Sequence, residues 1–129
     1  MGALADLRGR VVPVLVELSA DWTVHPAAVD SLDPPAFVVG WADPWTVPAT
    51  HGMDTARLEI IAVVGRIDAE PAVATLELMV ESALAGLAVA GFRASTVPPG
   101  PFEIGGLAYL AARIVLAYPV VFSVPVPEV

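Results

Sequence analysis

Apolar side chains recur every three or four residues along positions 3–20, which is the spacing of one face of an α-helix. The members of this stripe are Leu4, Leu7, Val11, Val14, Leu15 and Leu18. Pro13 lies inside the stripe, and a kinked helix tolerates it because the carbonyl against its ring belongs to Gly9. A strand over residues 11–18 is the alternative, since this run is β-branched. The stripe extends past the valines in both directions and therefore favours a helix.

Two segments in the first half of the chain have the pattern of strands. Pro34-Pro35 leads into a short buried strand over residues 36–40, and residues 57–67 alternate between two faces. One face carries Leu58, Ile60, Ala62 and Val64, and the other carries Glu59, Ile61, Val63 and Gly65. Residues 41–56, with two prolines and a glycine, are predicted to form a loop. Loops of this length usually carry a function or an interaction surface.

A second helix is predicted over residues 69–90. Asp68 is suited to cap its N-terminus, Pro71 falls in its first turn, and Gly91 follows its end. The apolar positions expected to be buried are Val73, Leu76, Val80, Leu84 and Leu87. Ser82 and Gly86 are places where this helix could divide into two pieces.

The last third of the chain predicts further strands. Residues 92–97 form one, residues 98–101 a stiff proline-rich turn, and Gly105-Gly106 a bulge or hairpin turn before a long strand over 107–118. That strand places Leu110, Ala112, Ile114, Leu116 and Tyr118 on one side, and Tyr109, Ala111, Arg113, Val115 and Ala117 on the other.

The order of these segments predicts an α+β fold. A mostly antiparallel β-sheet carries the N-terminal helix and the central helix packed on one face. This single domain is expected to cover residues 1–118, and residues 119–129 are expected to form an extended, proline-rich C-terminal tail.

The composition predicts an oligomer. Hydrophobic residues make up 57% of the 129 residues and charged residues 16%, with a mean hydropathy of +0.74. Typical soluble domains are about half apolar and about one quarter charged. A spanning helix needs about 17–25 consecutive apolar residues, and no run in the sequence without charges or prolines is that long. We therefore expect the surplus apolar surface to be covered by other protein subunits, with no membrane as partner.

Charge and candidate chemistry argue against a catalyst or a nucleic-acid binder. The formal net charge is −8, and the six positive charges are all arginines without a basic cluster. The chain has no cysteine, and its two histidines, His25 and His51, lie in separate segments, so we predict no metal site and no cofactor. No G-x-S-x-G motif occurs, and the Glu77–Glu81 pair has the spacing of a solvated helix face. The protein is therefore predicted not to be an enzyme.

Two regions are candidate interfaces. Trp41 and Trp45 flank Pro44, and tryptophan is enriched at the energetic centres of interfaces; the alternative is that both fold back over the sheet edge. The C-terminal tail is too apolar for a solvated segment. It could prolong the last strand along its own sheet, or lie on a neighbouring subunit. Its candidate interface residues are Val121, Phe122, Val124 and Val126.

Three motifs, in this order, carry a family resemblance. They are PPAFVVG at residues 34–40, VVGRID at 63–68 and GGLAYLA at 105–111, the last running into a valine-rich strand. With the N-terminal helix, they resemble the tail terminator (tail-completion) proteins of long-tailed, siphovirus-type phages that infect actinobacteria. The resemblance spans nearly the whole predicted domain, and its motifs are structural rather than catalytic.

The resemblance implies a structural virion protein of the tail and neck region, present in the host cytoplasm during assembly. Such proteins form a ring, usually a homohexamer, that caps the tail tube, stops tube polymerisation and joins the tail to the head-side neck. The implied partners are other copies of the chain, the major tail tube protein and the neck or stopper protein. Genomic DNA would pass through without specific binding, and an acidic protomer suits that passage because it repels phosphate. A channel lined mainly by Arg8, Arg10, Arg57 and Arg93 would contradict this expectation.

Two alternatives stay open. Another head–tail connector, such as a neck or stopper protein, would share this composition and charge. A small-ligand-binding or enzymatic domain would need a pocket beneath residues 41–56, where the polar groups available are Asp43, His51 and Asp54.

Overall fold

A computed structural model describes residues 2–27, 29–50, 52–66 and 73–122. Its elements in chain order are α1 (Ala3–Val16), β1 (Thr23–His25), β2 (Ala36–Pro48), β3 (Asp54–Arg66), α2 (Val73–Val89), β4 (Arg93–Ile104) and β5 (Leu107–Val120). The strands form one sheet in the order β1-β2-β3-β5-β4. The pairing is antiparallel throughout except between β1 and β2, which run parallel. The α+β class is thus confirmed, with a mixed five-stranded sheet whose short edge strand β1 was not predicted.

The first helix is confirmed. Leu7, Val11 and Leu15 form its buried stripe, and Pro13 lies within it on an exposed position. The helix ends at Val16, four residues before the predicted end, and the amide of Glu17 still bonds to the Pro13 carbonyl at 3.2 Å. The stripe continues past the helix end because Leu18, in the following turn, still packs against the core.

The prediction of a loop over residues 41–56 is wrong. β2 continues to Pro48, and β3 starts at Asp54. Just beyond the two strand ends, the Ala49 amide bonds to the Met53 carbonyl at 3.0 Å. The β2–β3 register shifts between Trp41 and Thr46, which marks a bulge around Pro44. A bulge is one of the few places where a strand accepts proline, because the residue there needs no ladder hydrogen bond.

The second helix is confirmed as one continuous helix, but its buried stripe differs from the predicted one. Leu76, Met79, Ala83 and Leu87 are buried, Val80 and Leu84 are partly buried, and Val73 is exposed. Gly86 does not divide the helix. A Cβ there would lie 3.2 Å from the side chains of both Val14 and Leu18, so the glycine allows α1 and α2 to approach closely. The predicted cap Asp68 and the first-turn Pro71 lie outside the described residues.

The predicted end of α2 at Gly91 is confirmed. Gly91 has φ +90°, its amide bonds to the Ala88 carbonyl at 3.1 Å, and the Phe92 amide bonds to the Leu87 carbonyl at 2.8 Å. This pair of bonds is the Schellman motif, which glycine favours because the left-handed conformation costs it nothing.

The proline-rich turn predicted at residues 98–101 is wrong. β4 runs through these residues to Ile104, and its register with β5 shifts between Val97 and Gly100. β4 is an edge strand, where prolines cost no hydrogen bond on the solvent side. The true turn is Gly105-Gly106, as predicted, with φ +59° and +78° and with Ile104 paired to Leu107.

The main core lies between the sheet and the two helices. The predicted alternation of β3 and β5 is confirmed, because Leu58, Ile60, Ile114 and Leu116 all enter this core. The opposite sheet face carries a smaller cluster with the buried residues Val38, Ile61, Val63, Tyr109 and Ala111.

The predicted tail begins inside the last strand. β5 extends beyond residue 118 to Val120, with Pro119 opposite Thr55 and Val120 opposite Asp54. These two tail residues therefore prolong the strand along its own sheet, which was one of the two alternatives. Residues 123–129 lie outside the described part of the chain.

Two glycine substitutions separate backbone strain from a steric clash in the β4–β5 turn. A Cβ on Gly105 would lie 2.8 Å from the Asp30 carbonyl oxygen, whereas a Cβ on Gly106 meets nothing within 4 Å. We expect Gly106→Ala to cost about 1–2 kcal/mol, since only a left-handed φ is imposed on alanine. Gly105→Ala should cost about 1–3 kcal/mol more, because backbone must also move. Urea unfolding measures both losses of stability, and equal losses would contradict the close approach of the Asp30 backbone to this turn.

Candidate functional site

An exposed apolar surface lies at the end of the sheet that contains the β2–β3 turn. Eleven large apolar side chains are exposed in the described part of the chain, and five of them are carried by the segments that meet here. They are Trp45, Val47, Met53, Val121 and Phe122. We call this set the hairpin end.

Strand register brings these residues together from three parts of the chain. Pro48 at the end of β2 is paired with Asp54 at the start of β3, and Asp54 is paired with Val120 at the end of β5. Met53 directly precedes this row, and Val121 and Phe122 directly follow it. The β2–β3 hairpin and the end of β5 are more than sixty residues apart in the sequence, and they thus lie at the same end of the sheet.

The two tryptophans have different environments. Their rings meet edge to face with centroids 5.9 Å apart. Trp41 is partly buried and packs against the main core, which agrees with the alternative that it folds back over the sheet. Trp45 retains 52% of its surface exposed and belongs to the hairpin end.

The predicted interface residues are only partly brought together. Trp45, Val121 and Phe122 share the hairpin end, and Val121 and Phe122 are 59% and 45% exposed. Val124 and Val126 lie outside the described residues. Val47 and Met53 were missed, because residues 41–56 were interpreted as a loop. The β-branched residues on both sides of Gly52 (Thr46, Val47 and Thr55) were the signal that could have identified this hairpin.

The bulge that presents Trp45 is held by a polar contact. The Arg57 side chain donates a hydrogen bond from Nη1 to the Pro44 carbonyl oxygen, at 2.9 Å. A bulge leaves a backbone carbonyl without its ladder partner, and the guanidinium satisfies it. This contact holds the carbonyl of the residue that precedes Trp45.

The hairpin end offers packing rather than chemistry. Its members are apolar, and Asp43 and Asp54 are the nearest carboxylates along the chain. Within the described residues, no group of three or more His, Asp or Glu side chains is arranged to hold a metal ion. An apolar surface that includes an indole and a phenyl ring is typical of a protein–protein contact.

The alternative of a pocket beneath a loop over residues 41–56 has no such loop to cover it, because residues 41–48 belong to β2 and residues 54–56 to β3. His51 lies outside the described residues, and His25 is in β1, at the far edge of the sheet from β4. One described groove, of about 250 Å³, lies instead between α2 and the bulge of β4. Its floor is apolar, with Leu76, Val80 and Pro99, and Glu77 and Glu81 also line it.

Arg8, Arg10, Arg57 and Arg93 do not share one surface. A channel lined mainly by these four residues would contradict the expected acidic channel. Arg8 and Arg10 lie on α1, and the Arg10 guanidinium sits 5.0 Å from the ring centroids of both Phe92 and Tyr118. Arg57 and Arg93 lie on β3 and β4, each opposite Ala117 and therefore on the sheet face away from the helices.

Comparison with known proteins identifies no family. The chain matches no protein-family model, and a search of curated proteins finds no significant match. Neither helix that the structure describes has the length and apolar character needed to cross a membrane.

The two tryptophans allow stability and association to be separated. Trp45→Ala should change the free energy of unfolding by less than about 1 kcal/mol, because the side chain is mostly exposed. Trp41→Ala should cost about 2–3 kcal/mol, since it removes a ring packed on the core. Urea unfolding measures the stability of each variant, and sedimentation velocity measures its self-association. Equal stability losses would contradict the different burial of the two rings.

Proposed function

We propose that this protein is a phage tail terminator, a ring-forming virion component that caps the tail tube and joins it to the head-side neck. The observation that carries the proposal is the hairpin end, an apolar surface that the folded protomer leaves uncovered. Its five members come from both strands of one hairpin and from the end of β5. Contact with further subunits would remove this surface from water.

The composition supports assembly. With 57% hydrophobic residues, the chain can fill its core and still expose apolar side chains, as it does at the hairpin end. Apolar burial stabilises an association by about 25 cal/mol for each Å² removed from water, before the costs of association are subtracted. A ring repeats the same contact in every subunit, so each protomer gains from two neighbours.

The order of structural segments supports the choice of family. The resemblance to tail terminators rests on PPAFVVG, VVGRID and GGLAYLA. PPAFVVG leads into β2, and GGLAYLA contains the β4–β5 turn and the start of β5. The neck or stopper protein stays the second candidate, and the partner that the ring contacts distinguishes the two.

Aspartates at the hairpin end test the role of this surface. Val121→Asp with Phe122→Asp should leave the fold intact, because both side chains are exposed beyond the end of β5, and should abolish self-association. Leu107→Asp is the matched control, an exposed apolar residue at the opposite end of β5. Sedimentation velocity gives the mass of each variant. Unchanged assembly in the double variant would exclude the hairpin end as the contact.

The function itself is tested on tail tubes. The purified chain, added to polymerising tail tube protein of the same phage, should stop growth and give tubes capped at one end in negative stain. Immunogold labelling of virions should mark the head–tail junction. Binding to the head-side neck without any effect on tube length would favour the stopper protein, and failure in both assays would refute a head–tail role.

A further inference from the structure

A second surface lies on the sheet face away from the helices. Strand register places Arg57, Ala117 and Arg93 in one row across β3, β5 and β4, and Glu59, Val115 and Ser95 in the next row. Arg113 lies on the same face, 3.5 Å from the Glu59 carboxylate. We call these seven residues the open sheet face.

The open sheet face is positively charged on an acidic protein. It carries three arginines and one carboxylate, whereas the whole chain has a net charge of −8. Arg113 is neutralised by Glu59, and Arg57 and Arg93 form no ion pair within the described residues. Their Cα atoms are two strand spacings apart, about 9–10 Å.

The outer face of α2 has the opposite character. Glu77, Leu78 and Glu81 are exposed on α2, and the two glutamates also border the groove against β4. α2 contains no basic residue. Neither carboxylate has an ion-pair partner in the part of the chain that the structure describes. The two residues are one helical turn apart, about 6 Å along the axis.

We propose that the open sheet face of one protomer docks on the outer face of α2 of the next copy of the chain. Two arginines without an ion-pair partner then meet two glutamates that also lack one, and Val115 and Ala117 meet the exposed Leu78. This inference rests on the proposed ring and names the surfaces that meet in it.

The positions of the two surfaces determine the type of assembly. α2 packs on the opposite side of the sheet from the open sheet face, so the two surfaces point away from each other within one protomer. A contact between them is heterologous, and heterologous contacts generate closed rings when the rotation between subunits closes. The hairpin end adjoins the open sheet face, since Val47 and Pro119 both pair with Thr55 in the row beyond Arg57.

A second copy fits this face better than DNA does. Binding to the phosphate backbone depends on many cations, because each neutralised phosphate releases counterions. The open sheet face offers two unpaired arginines beside a carboxylate, on a chain that repels phosphate overall. The same chain provides two matching carboxylates next to exposed apolar surface.

Charge reversal tests the contact. The sheet variant is Arg93→Glu with Ser95→Glu, which keeps Arg57 because its guanidinium also holds the bulge. The helix variant is Glu77→Arg with Glu81→Arg. Each variant alone should weaken self-association at least about tenfold, as loss of one partner of an interfacial charge pair does.

Glu17→Arg with Asp21→Arg is the control. It makes the same change in charge as the helix variant, on exposed residues after α1, and it should assemble normally.

Mixing the two reversed variants gives the decisive result. In an equimolar mixture, the acidic sheet face of the sheet variant can meet the basic α2 of the helix variant. The native sheet face of the helix variant can meet the native α2 of the sheet variant. Assembly should therefore return, and it should also return in one chain that carries all four substitutions. Urea unfolding of every variant excludes loss of the fold, and assembly is measured both on the free chain by sedimentation and on capped tubes as copies per tube end.

The outcomes separate this inference from the proposed function. A wild-type ring that is indifferent to both reversals, or reversed variants that do not rescue each other, overturns the inference and leaves the tail terminator proposal standing. If the sheet variant assembles normally but has lost binding to a 30-base-pair duplex that the wild type retains, the open sheet face belongs to DNA and the inference is wrong. A wild-type chain that neither assembles nor caps tubes refutes the proposed function itself.

Discussion

The antiparallel pairing of β3 with β5 is the constraint on which the rest of the structure depends. These central strands pair from Asp54–Val120 to Arg66–Tyr109, with Leu58 opposite Leu116 and Ile60 opposite Ile114. A slip of one residue would turn Arg57, Glu59 and Arg113 into the main core and expose the leucines and isoleucines to water. Burial of those side chains therefore specifies the register. The meeting of the ends of β2 and β5 at the hairpin end follows from this register together with the β2–β3 pairing.

The helices complete the core on one side and leave the other side open. α1 and α2 approach closely at Gly86, and both stripes face the sheet. No described helix covers the opposite face, where the smaller apolar cluster gives way to arginines. A protomer built this way has two unlike faces and an apolar end. Such asymmetry suits the heterologous contacts of the proposed ring, in which each subunit would present different surfaces to its two neighbours.

The structure shows where the apolar side chains of this hydrophobic chain lie. Twenty-five apolar residues are buried in the described part of the chain, yet exposed apolar side chains gather at the hairpin end, where sheet and chain segments finish together. Five of the eleven exposed large apolar side chains in the described part of the chain thus lie at one end of the sheet.

Local sequence determined the two helices, the long strands β3 and β5, the glycine turn at residues 105–106 and the glycine end of α2, because periodicity and glycine conformation act over a few residues. The local sequence gave wrong predictions at residues 41–56 and 98–101. Prolines there indicated a loop and a turn, whereas β2 and β4 continue through bulges. A bulge exists only against a paired strand, so the tertiary structure alone decided it. The same holds for β1, which three residues form only beside β2, and for the buried side of α2, which docking on α1 and the sheet selected. Trp45 and Phe122 lie at the same end of the sheet only because the register aligns Pro48, Asp54 and Val120, a long-range relation that no local pattern contains.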